Sequence, residues 1–124
     1  MNKRVVVTGF GLGSPVGIGV DESWSSLCAG KTGIGPIPRF DTSDLQTKIA
    51  AEVKGFHAED YLPKKDAKRN ERFISFAIAA SRMAMEDCGL RIDSANQDRV
   101  GVYTGCGLGG LTMLEDTCMK LEKK

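Results

Sequence analysis

A chain of 124 residues with 41% hydrophobic and 27% charged side chains has the make-up of a globular protein, so composition excludes a disordered segment and a fibrous repeat. The length fits one compact domain around a single core. A formal net charge of +1 speaks against a nucleic-acid binder, because neutralising phosphates takes a clear excess of Lys and Arg. No apolar run reaches the roughly 18 residues of a membrane span, and the opening Met-Asn-Lys-Arg-Val-Val-Val-Thr-Gly lacks a signal-peptide pattern, so a cytoplasmic protein is expected.

Lys3 to Thr8 carries three consecutive valines and runs into Gly9, Gly11 and Gly13, the pattern of a buried central strand ending in a tight loop. Asp21 is placed to cap a short helix in which Trp24, Leu27 and Cys28 share one apolar face, with Gly30 just past its end. From Lys31 to Leu45, Gly33, Gly35, Pro36 and Pro38 break every period, which predicts a loop. Lys48 to Val53 is a candidate short strand. A long helix is expected from about Asp66 to Cys88, stopped by Gly89. Its wide apolar arc implies extensive burial, and its small residues Ala77, Ala79, Ala80 and Ala84 leave room for another backbone. Arg99 to Thr104 reads as a further strand, and Gly105 to Gly110 leads into a helix from about Leu111 that is still in helical pattern at Lys124. The absence of a stop signal there suggests a truncated protein. The order of elements predicts an α/β fold, a mixed sheet with helices packed against it.

Chemistry-bearing residues are few. Cys28, Cys88, Cys106 and Cys118 are widely spaced and the single histidine is His57, so no metal site is expected and buried free thiols are the simple reading. Gly105-Cys106-Gly107-Leu108-Gly109-Gly110 matches a dinucleotide-binding fingerprint, but the second strand with its acidic residue has no room to follow; a tight turn approaching another backbone is the preferred reading, and no cofactor is expected. Cys106 stands before a helix N-terminus, where a thiol can be activated. It lacks an evident base, since His57 lies 49 residues upstream, and a small buried residue is expected instead. Lys64, Lys65, Lys68, Arg69 and Arg72 form a local basic patch. Lys65, Lys68 and Arg69 fall on one side at helical spacing, either as a solvated face or as a docking site for an acidic partner.

Three segments carry a resemblance. Arg4-Val-Val-Val-Thr-Gly through Gly17, Trp24-x-x-Leu27-x-x-Gly30-Lys-Thr-Gly-Ile34 with Phe40-Asp-Thr, and Arg72-Phe73 through Gly105-x-Gly107-Leu-Gly-Gly-Leu111 together resemble the opening of β-ketoacyl-acyl carrier protein synthases, particularly the type II elongation enzymes. The resemblance covers the whole chain. It implies a thiolase-like fold, of which residues 1–124 are part of the N-terminal half, and a homodimer. It also implies a condensation of an acyl-enzyme with malonyl-acyl carrier protein that gives 3-oxoacyl-acyl carrier protein and CO2 in fatty-acid biosynthesis. The partners it implies are acyl carrier protein and acyl and malonyl thioesters. The family's nucleophilic cysteine and two catalytic histidines lie outside the matched segments, so the chain by itself is expected to be inactive and no catalytic residue is assigned. On the same resemblance, Lys65, Lys68 and Arg69 take the positions that dock the carrier protein, and Leu108 takes the acyl-pocket position, where an isoleucine is expected in type II enzymes. A non-catalytic docking module or chain-length-factor-like partner is the competing expectation.

Overall fold

The computed structural model describes residues 3–123. A first antiparallel ribbon pairs β1 (Gly13–Ser14) with β2 (Gly17–Ile18), and α1 (Val20–Cys28) follows directly. A second ribbon pairs β3 (Ile34–Pro36) with β4 (Ile49–Ala51), Ile34 opposite Ala51 and Pro36 opposite Ile49. A single 3-10 turn at Ala58–Asp60 leads into α2 (Lys64–Arg69) and α3 (Arg72–Cys88). After a second 3-10 turn at Gln97–Arg99, the chain ends in α4 (Leu111–Glu122). Lys124, where the sequence pattern is still helical, lies outside the described residues.

Several expectations need correction. Lys3 to Thr8 and Arg99 to Thr104 form no ladder. Their valine-rich pattern is that of strands buried on both faces, which need paired neighbours and covering layers. Here Val5 is 93% and Tyr103 98% exposed. Residues 31–45 contain β3, because a two-stranded ribbon has only edges and Pro36 there forfeits no central ladder bond. The long helix is two helices: Asn70 and Glu71 both take extended backbone angles, and Asn is among the residues of lower helix propensity. α3 then ends as anticipated, on Gly89 in the left-handed region at φ 62°. The N-cap of α1 is Gly19, two residues before the expected Asp21, and Glu22 Oε2 accepts the Ile18 N–H at 2.8 Å. The face that α1 buries is the serine face. Ser23 Oγ donates to the Gly17 carbonyl at 3.0 Å and lies 3.2 Å from Ser14 Oγ, while Trp24 and Leu27 are 67% and 59% exposed.

Packing centres on α3, but α3 is not extensively buried. Its buried residues are Ser75 and Ala79, and among the described residues Leu62 is the other buried hydrophobic one. The glycine loop before β1 lies against α3 backbone to backbone. A Cβ at Gly9 would come within 2.6 Å of the Ala84 carbonyl oxygen, and one at Gly11 would overlap the Ala80 carbonyl oxygen. The close approach expected from the alanines of this helix is realised there, and Asp87 Oδ2 secures it by accepting the Phe10 N–H at 2.8 Å. Around Phe56, stacking on Tyr61 at 5.6 Å and a tilted contact with Phe76 at 4.7 Å fasten the 3-10 turn to α3. The Arg82 side chain reaches the Tyr61 carbonyl in the same region.

The expectation of one self-contained core also fails. The chain exposes 10629 Å², whereas a compact monomer of 13.3 kDa exposes roughly 6,500 Å². The difference, about 4,000 Å², is more than twice a standard protein interface.

Candidate functional site

The basic patch sits on α2, whose six residues keep Lys65, Lys68 and Arg69 at helical spacing and exposed. Lys68 and Arg69 occupy the last turn, where positive charge complements the carbonyl end of a helix. Arg72, also part of the sequence cluster, has a different task. Its Nη2 donates to the Val53 carbonyl at 2.6 Å and its guanidinium lies 5.1 Å from the centre of the Phe76 ring, so it joins the start of α3 to the segment after β4.

Leu108 lies on the turn before α4 and is 76% exposed. It lines a groove of about 350 Å³ together with Arg39, Glu71, Arg72, Phe73 and Leu111. The groove therefore has an apolar wall and a charged rim. Behind the same turn, a larger and more apolar groove of about 670 Å³ runs between Leu12, the Phe73, Phe76 and Ile78 side of α3, and Thr104 to Gly107. Phe73 is common to both. It is also why Gly109 must be small, since a Cβ there would stand 2.8 Å from the Phe73 ring. Gly110, at φ 79°, turns the chain into α4. The close approach on this turn is made at Gly109 alone and is to the Phe73 and Cys106 side chains, not to another backbone; nothing lies within 4 Å of a Cβ at Gly105, Gly107 or Gly110.

Cys106 lines the larger groove, which does not include His57. His57 stands instead at the N-cap of the 3-10 turn before α2, exposed as expected for a loop residue. All four cysteines are free, but Cys28, Cys106 and Cys118 are exposed and Cys88 only half-buried, which corrects the expectation of buried thiols. Among the described residues no group of three or more His, Cys, Asp or Glu is placed to hold a metal ion. No helix among them is long and apolar enough to cross a membrane.

Two residues assigned no site role from the sequence tie distant segments together. Glu71 Oε1 accepts the Met113 N–H at 2.9 Å across 42 residues, and Asp87 holds Phe10 across 77. No local signal marks the first, because Glu71 falls inside what reads as one helix from about Asp66 to Cys88. Nothing local marks the second.

The family described as Beta-ketoacyl synthase, N-terminal domain, matches residues 2–124. The chain is 49% identical over 113 residues to 3-oxoacyl-acyl-carrier-protein synthase 2 of Vibrio cholerae, covering 91% of this chain and 27% of that protein. It is 48% identical over 114 residues to the synthase 2 of Synechocystis, covering 92% of this chain and 27% of that protein. Among solved structures, the ishigamide ketosynthase/chain length factor superposes with a TM-score of 0.60 at 37% identity, over 80% of this chain and 23% of that one. The chain thus spans about a quarter of the length of these relatives. Its mixed α/β elements are those of a thiolase-like N-terminal domain, and the chain belongs to the β-ketoacyl synthase family of condensing enzymes.

Proposed function

We propose that this chain serves fatty-acid biosynthesis as a non-catalytic part of a β-ketoacyl condensing system, comparable to a chain-length factor. In this reading Lys65, Lys68 and Arg69 dock an acidic acyl carrier protein, and Leu108 walls the groove that receives the acyl chain. One observation carries it. The exposed basic helix α2 runs, through Asn70, straight into Glu71, Arg72 and Phe73, which line the Leu108 groove, so a carrier bound on α2 sits beside an acyl-sized opening. The likeness to the ishigamide ketosynthase/chain length factor supports a partner role, and so does the absence of His57 from the groove that Cys106 lines. The surplus of exposed surface supports a working form in which further polypeptide covers the valine-rich segments and supplies the nucleophile.

A second reading is favoured by the identity to 3-oxoacyl-acyl-carrier-protein synthases: the same residues open a homodimeric, cytoplasmic synthase that joins an acyl-enzyme to malonyl-acyl carrier protein, releasing CO2 and 3-oxoacyl-acyl carrier protein. Both readings leave residues 1–124 without a nucleophile of their own: a cysteine nucleophile usually has a histidine held against it, and the groove that Cys106 lines does not include His57. Incubating the chain with acyl- and malonyl-carrier protein and weighing it by mass spectrometry tests this. The expected result is no stable acyl adduct and no 3-oxoacyl product; acylation of Cys106 accompanied by turnover would overturn it.

A further inference from the structure

We infer that Glu71 is a positioning residue that fastens the junction between the carrier-docking helix and α3 to the start of α4, just after the turn bearing Leu108, and so fixes the wall of the acyl groove. The inference rests on the reading of Leu108 proposed above and deepens it. α4 begins at Leu111 behind Gly110, which has no side chain, and no side-chain cap comes from the N-cap residue itself. The first bond within the helix is Leu114 N–H to the Gly110 carbonyl at 2.9 Å. The Met113 N–H is therefore one of the donors that a helix start leaves without an intrahelical acceptor. Glu71 Oε1 supplies that acceptor at 2.9 Å. A carboxylate at this place is favoured both by charge-assisted hydrogen bonding and by the positive end of the helix dipole. Glu71 is also the N-cap of α3, and its carbonyl accepts the Ile74 and Ser75 N–H groups at 3.1 and 3.2 Å. The residue thus stands at the break between α2 and α3 and at the same time holds the start of α4, just after the turn that carries Leu108, with both residues in one groove wall. The break in the helix is what frees its side chain for this reach.

The test is made on the full condensing assembly, with three variants at Glu71 and one control. Amide hydrogen exchange reads the Met113 N–H, and competition between hexanoyl- and palmitoyl-carrier protein reads the groove. Glu71→Ala should speed exchange at Met113 by about tenfold, the worth of one helix-capping bond, and should flatten the discrimination between the two donors. Glu71→Gln, whose amide oxygen still accepts, should keep both near wild type. Glu71→Asp, one methylene short, should behave like the alanine variant, so the comparison survives if Glu71→Ala does not fold. Unchanged exchange at Met113 in both Glu71→Ala and Glu71→Asp would overturn the inference. So would faster exchange with unaltered discrimination, provided Leu108→Ala alters it. If Leu108→Ala leaves discrimination unaltered as well, the assignment of the acyl groove fails and the inference falls with it.

Discussion

Replacing Gly11 by alanine probes the backbone contact between the glycine loop and α3. The added Cβ would overlap the Ala80 carbonyl oxygen and stand 2.6 Å from the Ala84 nitrogen and 2.8 Å from Met83 Cβ. Two of these are backbone atoms of α3 and cannot turn aside, so the whole 9–11 segment must lift away from the helix. Overpacking of this kind costs about 1 to 3 kcal/mol. The shift also strains the 2.8 Å bond from Phe10 N–H to Asp87, a bond to a charged acceptor worth on the order of 1 to 2 kcal/mol. Together the loss is about 2 to 5 kcal/mol, a fall in Tm of at least about 4 °C for a domain of this size. Gly13→Ala is the control, since nothing lies within 4 Å of a Cβ there and its φ is not in the left-handed region. It should be neutral within about 0.5 kcal/mol, or slightly stabilising through the unfolded chain. Thermal unfolding of both variants in the assembled protein, followed by far-ultraviolet circular dichroism, reads the difference. Equal midpoints would refute the backbone contact between the glycine loop and α3.

Leu108→Ala should favour longer acyl donors and Leu108→Phe shorter ones, each substrate methylene that gains or loses contact counting roughly 0.8 kcal/mol; unaltered competition between donors in both variants would return Leu108 to a packing role. Asp41 should titrate below its ordinary value of 3.8, because the Ser43 hydroxyl, the Ser43 N–H and the Thr42 N–H favour the carboxylate. A depressed folded pKa means that this contribution to loop order is complete above the unfolded value and is lost as pH falls through the folded one. Carboxyl NMR titration should accordingly show Ser43→Ala moving Asp41 back up, and an unmoved Asp41 would contradict the assignment.

Local punctuation was legible in the sequence, and long-range partnership was not. Gly89 and Gly30 mark helix ends because only a residue without a Cβ turns easily into the left-handed region, and both do so here, at φ 62° and 65°. The alanines of α3 announced a close backbone neighbour, and Gly9 and Gly11 are that neighbour. The inward face of α1 was misread because apolar periodicity names the face that prefers burial, whereas Ser23 is drawn inside by its bond to the Gly17 carbonyl. The valine runs at 5–7 and around 102 do read as buried strands, but burial requires paired strands and covering layers that residues 3–123 do not provide. At the site, the spacing of Lys65, Lys68 and Arg69 survives as one exposed helical face. The bond from Glu71 to Met113 spans 42 residues, a distance over which no local pattern carries information.

Carrier binding tests the proposed role of α2 most directly. A fluorescently labelled acyl carrier protein titrated at low salt with the wild-type protein and with the Lys65→Glu, Arg69→Glu double variant should show the variant weaker by about tenfold or more, about 1.4 kcal/mol. Two exposed charges turned from attraction to repulsion justify a loss of that order, and the gap should narrow as salt screens them. Equal affinities for the two proteins at low salt would contradict the account and leave the α2 patch as a solvated face.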